Sequence, residues 1–334
     1  MADFVFNQAD RDMQARLQDF IPAKIFDMHV HIHNVDHIEN NPASLTIRHG
    51  TATAQGFLEE QKELYGDRKV RGLLIPFPTV NFKTPGIPEA ANAWMLEQVK
   101  TTPSCACEVF VKPGDSREYI ESMLDNPQVK GFKCYHLTAK PEQPDKPTPQ
   151  CDIWEYLPEV AWEIANERGM VITLHMVKEL SLADPENMAY IKEKTAQYPN
   201  AKLILAHCAR GFASWTTIES VRQLKGIPNI YYDMAAICEP ATMYEVIRQT
   251  GHDKVMWGSD YCIDRVRGRA SSCGLGFAWI YNNDLPESVN IPNNLVCLES
   301  LFAFYQASLM LDLSKAQVED IFYNNAVRLL GLDG

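Results

Sequence analysis

The run Phe26-Asp27-Met28-His29-Val30-His31 ends an apolar stretch with two histidines spaced two residues apart. Side chains of an extended strand alternate between faces, so Asp27, His29 and His31 are expected on one face and Phe26, Met28 and Val30 on the other. A single histidine on an apolar strand is ordinary core material once hydrogen bonded. Two that converge at one strand end leave several buried polar atoms in need of partners. A divalent ion satisfies both rings at once, and neutral imidazole suits zinc or a similar transition ion.

The pattern recurs along the chain. His175 ends Val171-Ile172-Thr173-Leu174-His175, His207 ends Leu203-Ile204-Leu205-Ala206-His207, and Asp260 ends Val255-Met256-Trp257-Gly258-Ser259-Asp260. Lys133 lies near the end of Val129-Lys130-Gly131-Phe132-Lys133. The elements that must carry these groups are candidate strands over 24–30, 70–76, 105–111, 129–135, 170–175, 202–207, 230–233 and 255–260. Helical patterns over 89–100, 116–124, 153–168, 187–198, 216–224 and 240–250 separate most of them. The helix over 153–168 stops at Gly169, the residue that a left-handed C-terminal cap favours. Strand then helix, repeated about eight times, predicts an α/β protein with a closed (β/α)8 TIM barrel. All strand C-termini of such a barrel open onto one mouth, so the metal-ligating groups would meet there.

Three stretches fall outside the rhythm: an N-terminal helix within 1–23 starting near Asn7 or Asp10, a long first loop over 34–68 with a helix around 56–65, and an irregular segment over 261–294. Two closing helices over 295–311 and 315–330 follow. Residues 1–334 are read as one domain with a barrel core over 24–260, so the two long segments are loop insertions. The Pro-rich stretch 141–149 is a barrel loop in this reading. A net charge of −12 argues against nucleic acid, which needs a basic footprint. No apolar window of about 18 residues exists to span a membrane. The first twenty residues are charged throughout, with no signal-peptide core, which points to the cytoplasm. Nine cysteines fit small core residues of a reduced compartment. Cys105 and Cys107 lack the second pair that a zinc site requires, and packing is the reading preferred for them.

Taken together, Asp27-Met28-His29-Val30-His31, Lys130-Gly131-Phe132-Lys133, Thr173-Leu174-His175, Leu205-Ala206-His207-Cys208 and Trp257-Gly258-Ser259-Asp260-Tyr261 resemble the amidohydrolase superfamily, specifically its amidohydrolase-related (amidohydrolase 2) family. The segment 318–330 is similar to that family's closing helix. The resemblance spans essentially the whole chain and implies a distorted barrel and a metal-dependent reaction. It implies two alternative metal arrangements. In one, His29, His31, His175 and Asp260 hold a single ion and His207 stays near the substrate. In the other, His175 and His207 hold a second ion, bridged to the first by a carboxylated Lys133. An unmodified lysine cannot ligate in its charged form, because an ammonium has no lone pair. The single-ion arrangement is preferred, as most of the family is of that kind, and zinc is the expected ion.

Either arrangement makes hydroxide available near neutral pH, since metal-bound water titrates near ~7. Asp260 would take a proton from that water and deliver it to the leaving group. A histidine such as His207, or the metal, would polarise the carbonyl under attack. Arg265 and Arg267 just after Asp260, together with Arg210 and Tyr135, are candidates for binding a small substrate, since guanidinium forks suit carboxylates. His33, His37 and His49 are read as loop residues and His136 as a weaker substrate contact. Trp215, Trp257 and Trp279 either line a pocket or pack the core. Three functions compete: a hydrolase of an amide, ester or lactone; a non-oxidative decarboxylase of an aromatic or unsaturated acid; and a non-catalytic metal-binding barrel. The first is preferred, and self-association into a homo-oligomer stays open.

Overall fold

The computed structural model describes residues 5–38, 50–143, 145–281 and 294–333. Eight parallel strands follow one another around a ring in chain order: β1 Lys24–Ile32, β2 Lys69–Pro76, β3 Ala106–Phe110, β4 Val129–Cys134, β5 Val171–Leu174, β6 Lys202–Leu205, β7 Ile230–Asp233 and β8 Val255–Met256. β8 is shorter than the run 255–260 suggested, yet the ring still closes. Met28 N donates to Trp257 O at 2.9 Å, Asp260 N to His29 O at 3.0 Å and His31 N to Tyr261 O at 2.8 Å. With helices surrounding it, the sheet is a (β/α)8 barrel.

Helices 87–100, 117–123, 159–168, 185–197, 214–220 and 240–250 cover the outside of the barrel near the expected places. Pro158 delays one of them: a 3₁₀ turn, Ile153–Glu155, comes first, and the helix Glu159–Arg168 then ends on Gly169 at φ 65°. Gln8–Leu17 starts from Asn7, whose side chain accepts from Asp10 N while Asp10 caps Asn7 N in return. The helix Ala54–Tyr65 occupies the first insertion.

The phase of β1 differs from simple alternation. Phe26 and Met28 cluster with Leu73, Ile75, Ala106, Val171, Ile204 and Met256, side chains from six strands that can meet only inside the ring. Val30 packs in the outer core with the helices. A register shift between Asp27 and Val30 resets the strand, as a bulge does, and turns His29 and His31 inward above Met28. Asp27 therefore faces away from the two histidines, and its Oδ1 accepts from Ser259 N at 2.9 Å and His29 N at 3.1 Å.

Tyr323, Ala326, Val327, Leu329 and Leu330 of the C-terminal segment join the inner cluster and form its floor. The segment read as irregular after Asp260 contains an antiparallel hairpin, β9 Gly268–Cys273 and β10 Gly276–Tyr281. The aromatic and β-branched content of Phe277-Ala278-Trp279-Ile280-Tyr281, just after Gly274 and Gly276, was its signal in the sequence. Residues 282–293 and the first-loop residues 39–49, with His49, lie outside the described residues.

Candidate metal centre and substrate cavity

Above the inner apolar cluster, three ligand atoms from β1 and the end of the β8 run converge. His29 Nε2 and His31 Nε2 are 3.1 Å apart, and Asp260 Oδ1 lies 3.7 Å from the first and 3.5 Å from the second. A tetrahedral ion with ~2.0–2.1 Å bonds separates its donors by about 3.3 Å. The spacing fits one shared divalent ion held by His29, His31 and Asp260, a group whose members are all buried.

The remaining expected residues surround this group. Lys133 Nζ is 3.4 Å from His29 Nε2. His207 Nε2 lies 3.1 Å from His175 Nδ1, so those two rings form a separate pair beside the first. The rings of His29 and His207 are 4.8 Å apart. Four histidines, one lysine and one aspartate therefore meet at the mouth, all of them buried apart from His175, which is partly exposed at the cavity.

Burial sets their protonation. Desolvation holds His29, His31 and His175 well below the ordinary histidine value and lowers His207 to about 4. Neutral imidazole is the form that binds metal. Desolvation also lowers Lys133, against the opposing pull of Glu108, Asp233 and Asp260. It pushes the Asp260 carboxyl up to about 7, with Lys133 pulling it down.

Two acidic residues with no place in the sequence reading complete the centre. Asp233, the last residue of β7, accepts from His29 Nδ1 at 3.0 Å and from His207 N at 2.8 Å. It thereby leaves His29 Nε2 turned toward His31 Nε2 and Asp260, where an ion would be held. A carboxylate at a strand end, as at Asp260, was the available signal. Glu108 on β3 accepts from Thr173 Oγ1 at 2.7 Å, and burial raises its carboxyl to about 8.

After His207 the backbone runs left-handed through four non-glycine residues, with φ of 57°, 49°, 62° and 57° at His207, Cys208, Ala209 and Arg210. Such a conformation costs roughly 1–2 kcal/mol per residue. It is held by a Gly211 N to His207 O bond of 2.8 Å and by Thr217 Oγ1 on Cys208 O at 2.9 Å.

A cavity of about 240 Å³ opens over the pair His175 and His207 and over Asp260. Tyr135 and Arg210 line it, as do Phe212, Phe277, Trp279 and Tyr281. Arg210 is mostly buried, and Nη1 donates to Lys178 O at 3.0 Å and Ser181 Oγ at 2.9 Å. Among the described residues no carboxylate lies within ion-pair distance of it. Its guanidinium sits 5.5 Å from the Phe277 ring centre.

Arg265 and Arg267 depart from the expectation of substrate contact. Arg265 pairs with Glu60 at 2.5 Å and lies over the Tyr261 ring at 3.7 Å, while Arg267 pairs with Asp10 at 2.7 Å. Neither lines the cavity. Their partners come from helices more than two hundred residues earlier, which local sequence does not reveal. Of the tryptophans, Trp279 lines the cavity, Trp257 is buried with Nε1 on Tyr65 Oη at 3.0 Å, and Trp215 donates to Leu275 O at 2.8 Å. His33 bonds Gly50 O at 2.7 Å.

The family model described as amidohydrolase (Amidohydro_2) matches residues 26–332, and the chain belongs to that family. No curated protein matches it. Among solved structures it is similar to an amidohydrolase from Burkholderia multivorans with bound zinc (TM-score 0.60, 13% identity, 92% of this chain and 99% of that one). A 2,6-dihydroxybenzoate decarboxylase from Rhizobium gives a TM-score of 0.59 at 13% identity, over 93% and 99% of the two chains. A protein provisionally assigned as a 2-pyrone-4,6-dicarboxylic acid hydrolase from Pseudomonas putida gives 0.57 at 14%, over 93% and 98%. At these identities the likeness concerns the fold.

Proposed function

We propose that the protein is a metal-dependent hydrolase that opens an amide, ester or lactone bond in a small substrate bearing a carboxylate. The observation that carries this reading is the convergence of His29, His31 and Asp260 on one ion-sized point beside a cavity that also contains the Arg210 guanidinium. A divalent ion there supplies Lewis acidity and water that ionises near neutral pH. Zinc is the ion proposed, on the strength of the imidazole donors and of the zinc in the Burkholderia multivorans structure.

The chain's own residues do the rest. His29 and His31 hold their Nε2 atoms toward the ion, and Asp233 fixes the orientation of His29. Asp260, raised by burial, takes a proton and returns it to the leaving group. His207 faces the carbonyl from the cavity side. Arg210 retains N–H groups beyond those it gives to Lys178 and Ser181, and they receive the carboxylate. Tyr135, packed 4.9 Å from the His175 ring, borders the same space. Lys133 suits the two-ion alternative through its lowered basicity, because the neutral amine is the form that combines with carbon dioxide. The free state of the nine cysteines supports a reducing, cytoplasmic setting.

A second reading, non-oxidative decarboxylation of an aromatic acid, draws on the rings of Phe212, Phe277 and Trp279 along the cavity. The volume is also suggestive. An apolar cavity of ~150 Å³ takes one benzene, so 240 Å³ admits one ring with its carboxylate and little more. One assay separates the two. Metal-loaded protein is offered aldonolactones and aromatic acids, and acid formation and carbon dioxide release are followed together. Acid without carbon dioxide supports the hydrolase, carbon dioxide alone supports the decarboxylase, and loss of neither activity on metal removal refutes both.

A further inference from the structure

Asp233 is fully buried and uses both carboxylate oxygens on different parts of the mouth. Oδ2 accepts from His29 Nδ1 at 3.0 Å. Oδ1 accepts from His207 N at 2.8 Å and from Ala235 N at 3.1 Å. The His207 amide is the first of the left-handed turn, which carries Arg210 at its other end. Residues three apart on a helical turn lie close to one face, whichever its hand. His207 and Arg210 accordingly both border the cavity, while Cys208 and Ala209 are buried behind them.

The turn is restrained at both ends. His207 Nδ1 meets Ala235 O at 2.9 Å, in the segment that Asp233 also anchors. Arg210 is held by Lys178 and Ser181, which themselves have φ of 64° and 47°. Left-handed backbone in non-glycine residues persists only where its surroundings over-determine it. Asp233 hydrogen-bonds both this turn and a member of the metal-binding group.

We propose that Asp233 is a positioning residue that ties His29 to the 207–210 turn, so that cation binding at the histidines and anion binding at Arg210 are energetically coupled. The proposal rests on the assignments of His29 and Arg210 made above. Its chemistry is simple. With a cation held at Nε2, the Nδ1–H group of His29 would become a stronger donor to Asp233 and hold the carboxylate closer. The same carboxylate fixes the entry to the turn and hence the place of the guanidinium. Linkage then requires the effect to run equally in both directions.

The test uses the full chain, Asp233→Asn and Arg210→Gln. Zinc affinity is measured by chelator competition, amide hydrogen exchange is followed over 207–211, and benzoate serves as the anionic probe. Asp233→Asn is expected to weaken zinc binding by about 10- to 100-fold, the usual range for a group that orients a ligand. It should also speed exchange at the 207–211 amides at least about tenfold. Arg210→Gln should weaken benzoate binding while zinc affinity, measured without benzoate, stays as in the parent. A loss of zinc affinity with unchanged exchange overturns the proposal, as does faster exchange with unchanged zinc affinity. Should Asp233→Asn fail to fold, the parent protein decides: one equivalent of zinc must slow exchange at Arg210 and Gly211, and no slowing overturns the coupling. Absence of benzoate binding to the parent would instead count against the anion-site reading, leaving the exchange results interpretable.

Discussion

At the lower end of the barrel, Phe26, Met28, Leu73, Ala106, Val171, Ile204 and Met256 fill the ring, and Tyr323, Ala326 and Leu330 close it from below. At the upper end, His29, His31, Lys133, His207, Asp233 and Asp260 are equally buried but contribute no hydrophobic stabilisation. Their charged forms are costly there, which is why the histidines stay neutral and Asp260 is raised to about 7. Backbone strain divides the same way. Of the non-glycine residues with left-handed φ, His207 through Arg210 and Asp260 lie at the mouth and Asp312 lies elsewhere, while none belongs to the inner cluster's strand residues. The floor supplies stability that the mouth spends on placing reactive groups.

The largest effect is expected at the ligands. Replacing His29 and His31 by Ala should abolish stoichiometric binding of added zinc and lower turnover by more than the ~100-fold typical of a supporting residue. Metal analysis and thermal unfolding of the metal-free proteins check this together. A variant that keeps its zinc would remove the mouth's assigned role. Metal-free stability should fall by about 1–3 kcal/mol, because the buried Asp233 carboxylate loses its His29 donor.

The floor predicts the reverse. Ile204→Ala should cost about 2–5 kcal/mol of stability, as large-to-small changes in packed interiors do. Denaturant unfolding measures it. Zinc bound per folded molecule should be unchanged, and a variant that loses zinc while remaining fully folded would show the two ends to be one unit.

What the sequence made legible follows the same division. Strand alternation and position at strand ends were enough to bring His29, His31, Lys133, His175, His207 and Asp260 to one mouth, because parallel strands share a direction. Alternation failed at Asp27, where one shifted register reversed the phase and placed Met28 inside. It could not foresee the left-handed turn at Cys208 and Ala209, residues with no local preference for it. Nor could it pair Arg265 with Glu60 or Arg267 with Asp10, contacts that exist only once the N-terminal helices have docked. Asp233 was visible as a strand-end carboxylate, but its value depends on a histidine two hundred residues away.

A gentler change sharpens the picture of the cavity. Arg210→Lys keeps the charge but loses the planar fork, and hydrogen bonds to charged groups contribute about 1.5–3 kcal/mol. KM for a carboxylate substrate should rise by about 10- to 100-fold with kcat much less affected. Steady-state kinetics distinguish this from a loss of chemistry, which would lower kcat with KM unchanged.

The smallest expected effect concerns a histidine next to the ligands that belongs to the scaffold. His33 bonds Gly50 O at 2.7 Å, and burial, then the nearby Arg265, depress it to about 4 despite that bond. The unfolded chain therefore binds more protons than the folded one between about pH 6.5 and pH 4. Stability attributable to this residue is complete above that window and falls as pH falls through it. Between pH 7 and pH 5.5 the loss should be about 1 kcal/mol. His33→Gln retains a donor for Gly50 but does not titrate, so the difference between the two metal-free proteins isolates His33 from every other acid-sensitive group. Parallel stability curves for the two over that range would mean that His33 titrates alike in the folded and the unfolded chain. The burial at this corner of the mouth would then be serving a different group.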